Sequence, residues 1–251
     1  MNLLASEWIK ARSVRGTWLL AASTVVVTVV VSLIGVSGLL ADWRAALPSD
    51  FDPTAIAFKG VLVGQLLLAT LGAQLITGEY ASGQITTSLT VAPRRAALLV
   101  SKLAVAVLLA LVTAVVTVAA SFGASQAALG AAGLPTADPT DPATVRALAC
   151  ATAYLVLTAV LGLAFGTLTR SSSGALAIVV AVALLVPALA PGLPGALGDL
   201  AATYWPTTAG QSSYATVASG RLPALTGLAV MAVFTLWTTL AAHASLRVRD
   251  A

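Results

Sequence analysis

The chain has 251 residues, of which 59% are hydrophobic and only 9% charged, with one cysteine and a formal net charge of +4. A soluble domain carries about 25% charged residues, and a disordered chain needs low hydrophobicity with high charge, so both classes are excluded. Cys150 has no partner within the chain, which excludes a disulfide-stapled secreted domain.

The first segment, Asn2–Arg15, projects as a helix with Leu3, Leu4, Trp8, Ala11 and Val14 broadly on one side and Ser6, Lys10 and Ser13 opposite; Glu7 intrudes on the apolar arc. It reads as a short interfacial helix over residues 2–15, or as a charged flank that merely orients the first span. Beyond it, 26 uncharged residues separate Arg15 from Asp42, 19 separate Lys59 from Glu79, and 35 separate Lys102 from Asp138. A further 23 lie between Arg146 and Arg170, 28 between Arg170 and Asp199, and 25 between Arg221 and Arg247. A spanning helix needs about 20 apolar residues. The expectation is therefore an all-α polytopic membrane protein, residues 1–251 forming one transmembrane domain. Its six spans fall near 17–40, 58–77, 97–121, 146–169, 174–191 and 222–245. The run TVVVTVVVSL (24–33) shows no polar face of the kind a soluble helix carries. The first run is also too long for a cleavable signal peptide.

Nine basic residues (Lys10, Arg12, Arg15, Arg94, Arg95, Lys102, Arg170, Arg247 and Arg249) fall on one side of this arrangement and four (Arg44, Lys59, Arg146 and Arg221) on the other. The acidic residues divide three to six in the opposite sense. Basic residues concentrate on the cytoplasmic side of membrane proteins, so both termini are expected in the cytoplasm of a multi-pass cell-membrane protein. The basic balance thus reflects topology. No basic patch with interleaved aromatics points to nucleic acid as a partner.

The connections differ in character. Residues 41–57 form a polar outer loop, and Leu134–Ala143 (LPTADPTDPA) is a turn by composition. Pro191–Leu222 is too polar to span and too apolar for a free loop; Leu193, Leu197, Leu200, Tyr204, Trp205 and Tyr214 mark it as interfacial or partly re-entrant. Pro187 and Pro191 are expected to kink or end the fifth helix. The longest cytoplasmic connection is Thr77–Lys102, TGEYASGQITTSLTVAPRRAALLVSK. Within it Gly83 precedes and Pro93 closes Gln84–Val91, where Ile85 and Leu89 stand four apart. A short helix there has one apolar face, suited to pressing a knob into a partner's groove; an ordinary cytoplasmic turn is the plainer alternative.

This loop resembles the first cytoplasmic loop of type-2 ABC exporter permeases, the membrane subunits of ATP-driven exporters. In that family Gly-Glu-Tyr/Phe ends the second span, Gly-Thr/Gln-Ile and a Leu come next, then Pro-Arg or Pro-x-x-Arg and a downstream Lys. Gly78, Glu79, Tyr80, Gly83, Gln84, Ile85, Leu89, Pro93, Arg94 and Lys102 stand at those places, and Ala81 stands where the family often carries Arg or Lys. The opening Ser6–Lys10 with Arg12-Ser13 and Thr17-Trp18, the stretch Gly162–Gly166 with Leu168, Arg170, Ser171 and Gly174, and Tyr204-Trp205-Pro206 with Ala209-Gly210 are similar to other stretches of the family, so the resemblance covers essentially the whole chain. It implies a transport subunit with no catalysis of its own, paired with a second, identical or related permease, the path lined mainly by the second and fifth spans. It implies that Gln84–Val91 is a coupling helix docked on a separate cytoplasmic ABC ATPase. The docking residues would be Gly78, Glu79, Tyr80, Gly83, Gln84, Ile85, Leu89, Pro93, Arg94 and Arg95. Asn2–Arg15 would be the connecting helix, and Glu79 would fix the geometry of the loop. ATP and Mg would be bound by the ATPase, with no cofactor in this chain.

Two absences stand beside the resemblance. No Gly-x-x-x-x-Gly-Lys-Ser/Thr occurs, so the chain has no loop of that kind to cradle nucleotide phosphates. No ionisable residue sits mid-span, whereas ion-coupled carriers usually need such groups; a secondary transporter with carbonyl-built sodium sites stays open as an alternative. An intramembrane serine protease built on Ser171–Ser173 and His243 is a further alternative, but Ser beside Arg170 reads as a helix cap. A non-transporting scaffold completes the set. Thr24, Thr28, Ser32, Thr113 and Thr117 read as small packing residues, and Gln65 and Gln74, nine apart, as hydrogen bonders between helices.

Overall fold

A computed structural model describes residues 3–85, 95–216 and 222–248, and among them helix is the only regular structure. Two helices open the chain, α1 (Leu3–Ser13) and α2 (Arg15–Ser37). They are separated at Val14, whose backbone is extended. Two short ones come next, α3 (Leu40–Ala45) and α4 (Pro53–Ile56). Then come three long helices, α5 (Val61–Ala81), α6 (Arg95–Ala131) and α7 (Pro142–Thr169). The next helix, α8 (Ser172–Val180), runs into a π-helical turn (Ala181–Leu185), a single α turn (α9, Val186–Leu189) and a 3₁₀ turn (Ala190–Gly192). Two further helices, α10 (Ala196–Tyr204) and α11 (Pro206–Ser212), precede the last, α12 (Ala224–Val248). Six of these segments are long and apolar enough to cross a membrane: α2, α5, α6, α7, residues 172–192 and α12.

Several helix starts lie where side chains can satisfy the free N–H groups of a first turn. Asp141 accepts from the N–H of Ala143 (3.1 Å) and of Thr144 (3.2 Å), with Pro142 at the first position. This start moves α7 four residues ahead of the expected 146 and puts Arg146 inside the helix. At the other end, α6 runs on to Ala131 rather than 121, because FGASQAALGA (122–131) is too small-residued to look like a span yet still forms helix.

In lipid, apolar burial does not drive helices together; close packing of small residues does. The central pair, α5 and α7, shows it directly. A Cβ placed at Gly162 would lie 1.9 Å from the carbonyl oxygen of Ala69, and one at Gly72 would lie 1.9 Å from that of Ala159. The helix α2 is inverted relative to a soluble one: Leu19, Val26, Val30 and Ile34 are exposed, while Thr24, Thr28 and Ser32 are fully buried. These three do form a stripe, four residues apart, and it faces inward. Ser32 accepts a hydrogen bond from the N–H of Gly60 at 3.0 Å. The run TVVVTVVVSL therefore has a small polar face after all; it is the packed face.

The ends of the bundle are tied separately. At one end Asp52 accepts from the N–H groups of Thr54 and Ala55, both at 2.9 Å, and from the N–H (2.6 Å) and hydroxyl (2.7 Å) of Thr216. This carboxylate thus caps α4 and holds the chain beyond α11. Asp52→Ala is expected to cost about 2 kcal/mol or more, read as a lower melting temperature of the purified chain, with Asp52→Asn intermediate. Deeper in, the buried Tyr154 hydroxyl donates to Gln65 Oε1 and accepts from Gln211 Nε2 at 3.2 Å, joining α5, α7 and α11. The described residues of the segment 191–222, expected to be interfacial or re-entrant, include two helices of different character. Leu197, Leu200 and Tyr204 of α10 are exposed, whereas Pro206, Thr207, Ala209 and Gly210 of α11 are buried.

Candidate functional site

The opposite end of the bundle gathers α1, the last turn of α5, the first turns of α6, the turn after α7 and the end of α12. Glu7 and Lys10, three apart on α1, meet Glu79 on α5 and Lys102 on α6. Lys10 Nζ lies 2.7 Å from Glu7 and 2.8 Å from Glu79; Lys102 Nζ lies 2.7 Å from Glu7 and 2.8 Å from Glu79. The four charges form a closed ring of alternating sign. Lys102 donates further to the carbonyl oxygen of Leu75 (3.0 Å), so all three of its N–H groups are used. Glu79 receives both ammonium groups on Oε1, and its Oε2 is buried with no hydrogen-bond partner.

Burial makes this ring unlike a surface ion pair. Lys102 is only 2% exposed and Glu7 4%, while Lys10 keeps 41% of its side chain in the open. A buried pair is expensive to desolvate and strongly destabilising to break, so the ring fixes how α1, α5 and α6 sit relative to one another. Burial alone lowers the affinity of Lys10 for its proton, but the hydrogen bonds and charges of Glu7 and Glu79 prevail and hold its pKa above the ordinary 10.5. A lysine raised in this way contributes stability below its unfolded pKa and loses it only as the pH climbs through the higher folded value. Lys10 therefore keeps its charge, and its place in the ring, throughout the neutral range.

Beside the ring lies a cavity of about 450 Å³, lined among others by Glu7, Lys10, Gln74, Glu79, Lys102 and Ser172. Gln74, expected to bond between helices, is exposed and borders this cavity, whereas Gln65 does bond between helices, to Tyr154.

Gly78 is exposed and has open space around it. Tyr80 lies under the Arg170 guanidinium, 5.4 Å from ring centroid to Cζ, and Arg170 itself ends α7 in the left-handed region at φ 56°. Gly83 has φ +71°, a conformation that favours glycine, and turns the chain after α5. Gln84 is exposed and Ile85 is 5% exposed. Arg95 donates to the carbonyl oxygen of Leu246, placing its charge at the C-terminal end of α12, where a cation is favourable. Leu89, Pro93 and Arg94, and all of Gln84–Val91 beyond Ile85, lie outside the described residues.

Glu79 stands at the loop in the sequence, but its partners come from other helices. The signals were present: a glutamate on the apolar arc of α1, and a lysine two turns inside an apolar helix. Nearby, Thr77 and Ser172 share a hydrogen bond of 2.5 Å, and Ser171 caps α8 by accepting from the N–H of Gly174 at 3.3 Å. Ser173 pairs with Ser171 (3.0 Å). The serines are used within their own turn and against α5, a capping arrangement.

A family model described as ABC-2 family transporter protein matches residues 3–188, which include the whole ring, the cavity and the fifth span up to Ala188. No curated protein matches the chain.

Proposed function

The chain belongs to the ABC-2 family of transporter proteins, and from that premise we propose that this multi-pass permease is the membrane subunit of an ATP-driven exporter, energised by a separate cytoplasmic ATPase that docks on residues 78–102. The observation that carries the reading is the ring around Glu79. It ties α1 and α6 to the last turn of α5, so a push on the segment after α5 is delivered to three helices together. In this reading α1 is the connecting helix, both termini lie in the cytoplasm, and ATP and Mg belong to the partner. Gly78, Glu79, Tyr80, Gly83, Gln84, Leu89, Pro93, Arg94 and Arg95 form or shape the docking region. Ile85, being buried, would shape that region from inside rather than touch the partner. A second permease, identical or related, completes the path.

The test is recovery of an ATPase subunit with the tagged permease from its native membrane in mild detergent. Leu89→Asp is expected to reduce the ATPase recovered at least tenfold while leaving the elution profile and melting temperature of the permease unchanged. Recovery of no ATPase with the unmodified chain, or equal recovery with the variant, would overturn the docking assignment.

A further inference from the structure

The fifth span is interrupted, and its sequence explains where. In the π turn the N–H of Val186 bonds to the carbonyl oxygen of Ala181, five residues back instead of four. In the same register the next carbonyl, that of Val182, would take the N–H of residue 187. That residue is Pro187, which has none. A backbone carbonyl left bare in a membrane-embedded helix is costly, yet Val182 is not bare. The indole Nε1–H of Trp205 donates to it at 2.7 Å and the hydroxyl of Thr207 at 3.1 Å. Two side chains from the outer segment replace one missing backbone donor.

We propose that the carbonyl of Val182 is a pin that fastens the outer segment to the fifth span, so that the section beyond the π turn moves with α11 as one body while Ser172–Val180 pivots beneath it. Trp205 and Thr207 are the positioning residues of this joint, and Pro187 is what keeps the carbonyl available to them. Both sides of the joint are anchored. Above it, α11 is wedged between α7 and α12: a Cβ at Gly210 would meet the Tyr154 ring at 2.7 Å, and one at Gly227 the carbonyl oxygen of Ala209 at 2.1 Å. Below it, Ser172 is bonded to Thr77 on α5, so the inner section is held to the helix that carries Glu79. π turns inside α-helices occur frequently at functional sites; here the turn separates two sections with different attachments. The proposal rests on the bundle alone and stands whether or not residues 78–102 dock an ATPase.

The experiment uses the full chain in lipid nanodiscs, with Trp205→Phe, Thr207→Val, Pro187→Ala and the double variant Trp205→Phe/Pro187→Ala. Loss of one hydrogen bond in Trp205→Phe is expected to lower the melting temperature by about 3 °C, and Thr207→Val by less. Pro187→Ala supplies the missing N–H, so in that background Trp205→Phe is expected to cost under a third as much. A merely structural tryptophan would show the same loss in both backgrounds, and equal losses overturn the proposal. A second readout does not depend on stability. The chain has five tryptophans, and the indole N–H signal absent from Trp205→Phe identifies Trp205 in the ¹H–¹⁵N spectrum. In Pro187→Ala that signal is expected to shift upfield and exchange faster with solvent. An unmoved signal means that residue 187 does not compete for the carbonyl, and the pin is then refuted.

Discussion

Lys102→Met is expected to abolish most of the folded protein. The substitution keeps length and apolar character but removes the ammonium that lies 2.7 Å from Glu7 and 2.8 Å from Glu79. Two buried carboxylates would then share Lys10 alone, and the N–H bond to the Leu75 carbonyl would be gone as well. Removing one partner of a buried ion pair costs about 3–5 kcal/mol, a large part of the roughly 5–15 kcal/mol that holds a domain folded. The readout is the monodisperse fraction of a fluorescently tagged chain in size-exclusion chromatography. The ring also dictates a rescue. Taking out a neighbouring pair of opposite sign, as in Glu7→Gln/Lys102→Met, leaves Lys10 with Glu79 and no net buried charge, so the double variant should recover much of the lost material. A double variant no better than the single one would show that the aliphatic stem of Lys102, and not its charge, holds the site.

Gly162→Ala should have a comparably large effect for a different reason. The added methyl would stand 1.9 Å from the Ala69 carbonyl oxygen, and backbone cannot swing aside as a side chain can. The α5–α7 crossing has to open, at the upper end of the about 1–3 kcal/mol that overpacking usually costs or beyond it. Since α5 carries both Glu79 and Gln65, the displacement reaches the ring at one end and the Tyr154 network in the interior. Gly123→Ala on α6 serves as the opposite case. It faces open space, so the helix-propensity gain of about 0.5–1 kcal/mol should appear unopposed. Melting temperatures of the two variants should therefore move in opposite directions; a shared direction would mean that glycine content, not contact, governs both.

The spans were legible in the sequence because a bilayer imposes a length of apolar chain that a charge count can find. Their ends were not, where another signal governs. The start of α7 is set by an Asp-Pro cap lying in a segment that composition marks only as a turn, and α6 continues through small residues that do not look like part of a span. The inward stripe of α2 was present at every fourth position, but a rule made for soluble helices looks for polar residues on the outside. The ring was the least legible feature. Lys102 and Glu7 are 95 residues apart, and Lys10 and Glu79 are 69 apart; no local pattern states that charges so distant neutralise one another. Ile85 is 5% exposed, and the rest of the short apolar face that its spacing suggested lies outside the described residues.

The 9% of residues that are charged determined by themselves that the chain crosses a membrane, about where it does so, and that a long basic connection follows Glu79. Those are one-dimensional properties, fixed by what hydrocarbon tolerates along a chain. Only the tertiary structure decided which charges meet, which face of α2 is inside, and that the carbonyl freed by Pro187 is taken up by Trp205 and Thr207. Each of these depends on helices approaching at particular heights and rotations, and in lipid that approach is set by glycines and small side chains whose contacts lie on other helices.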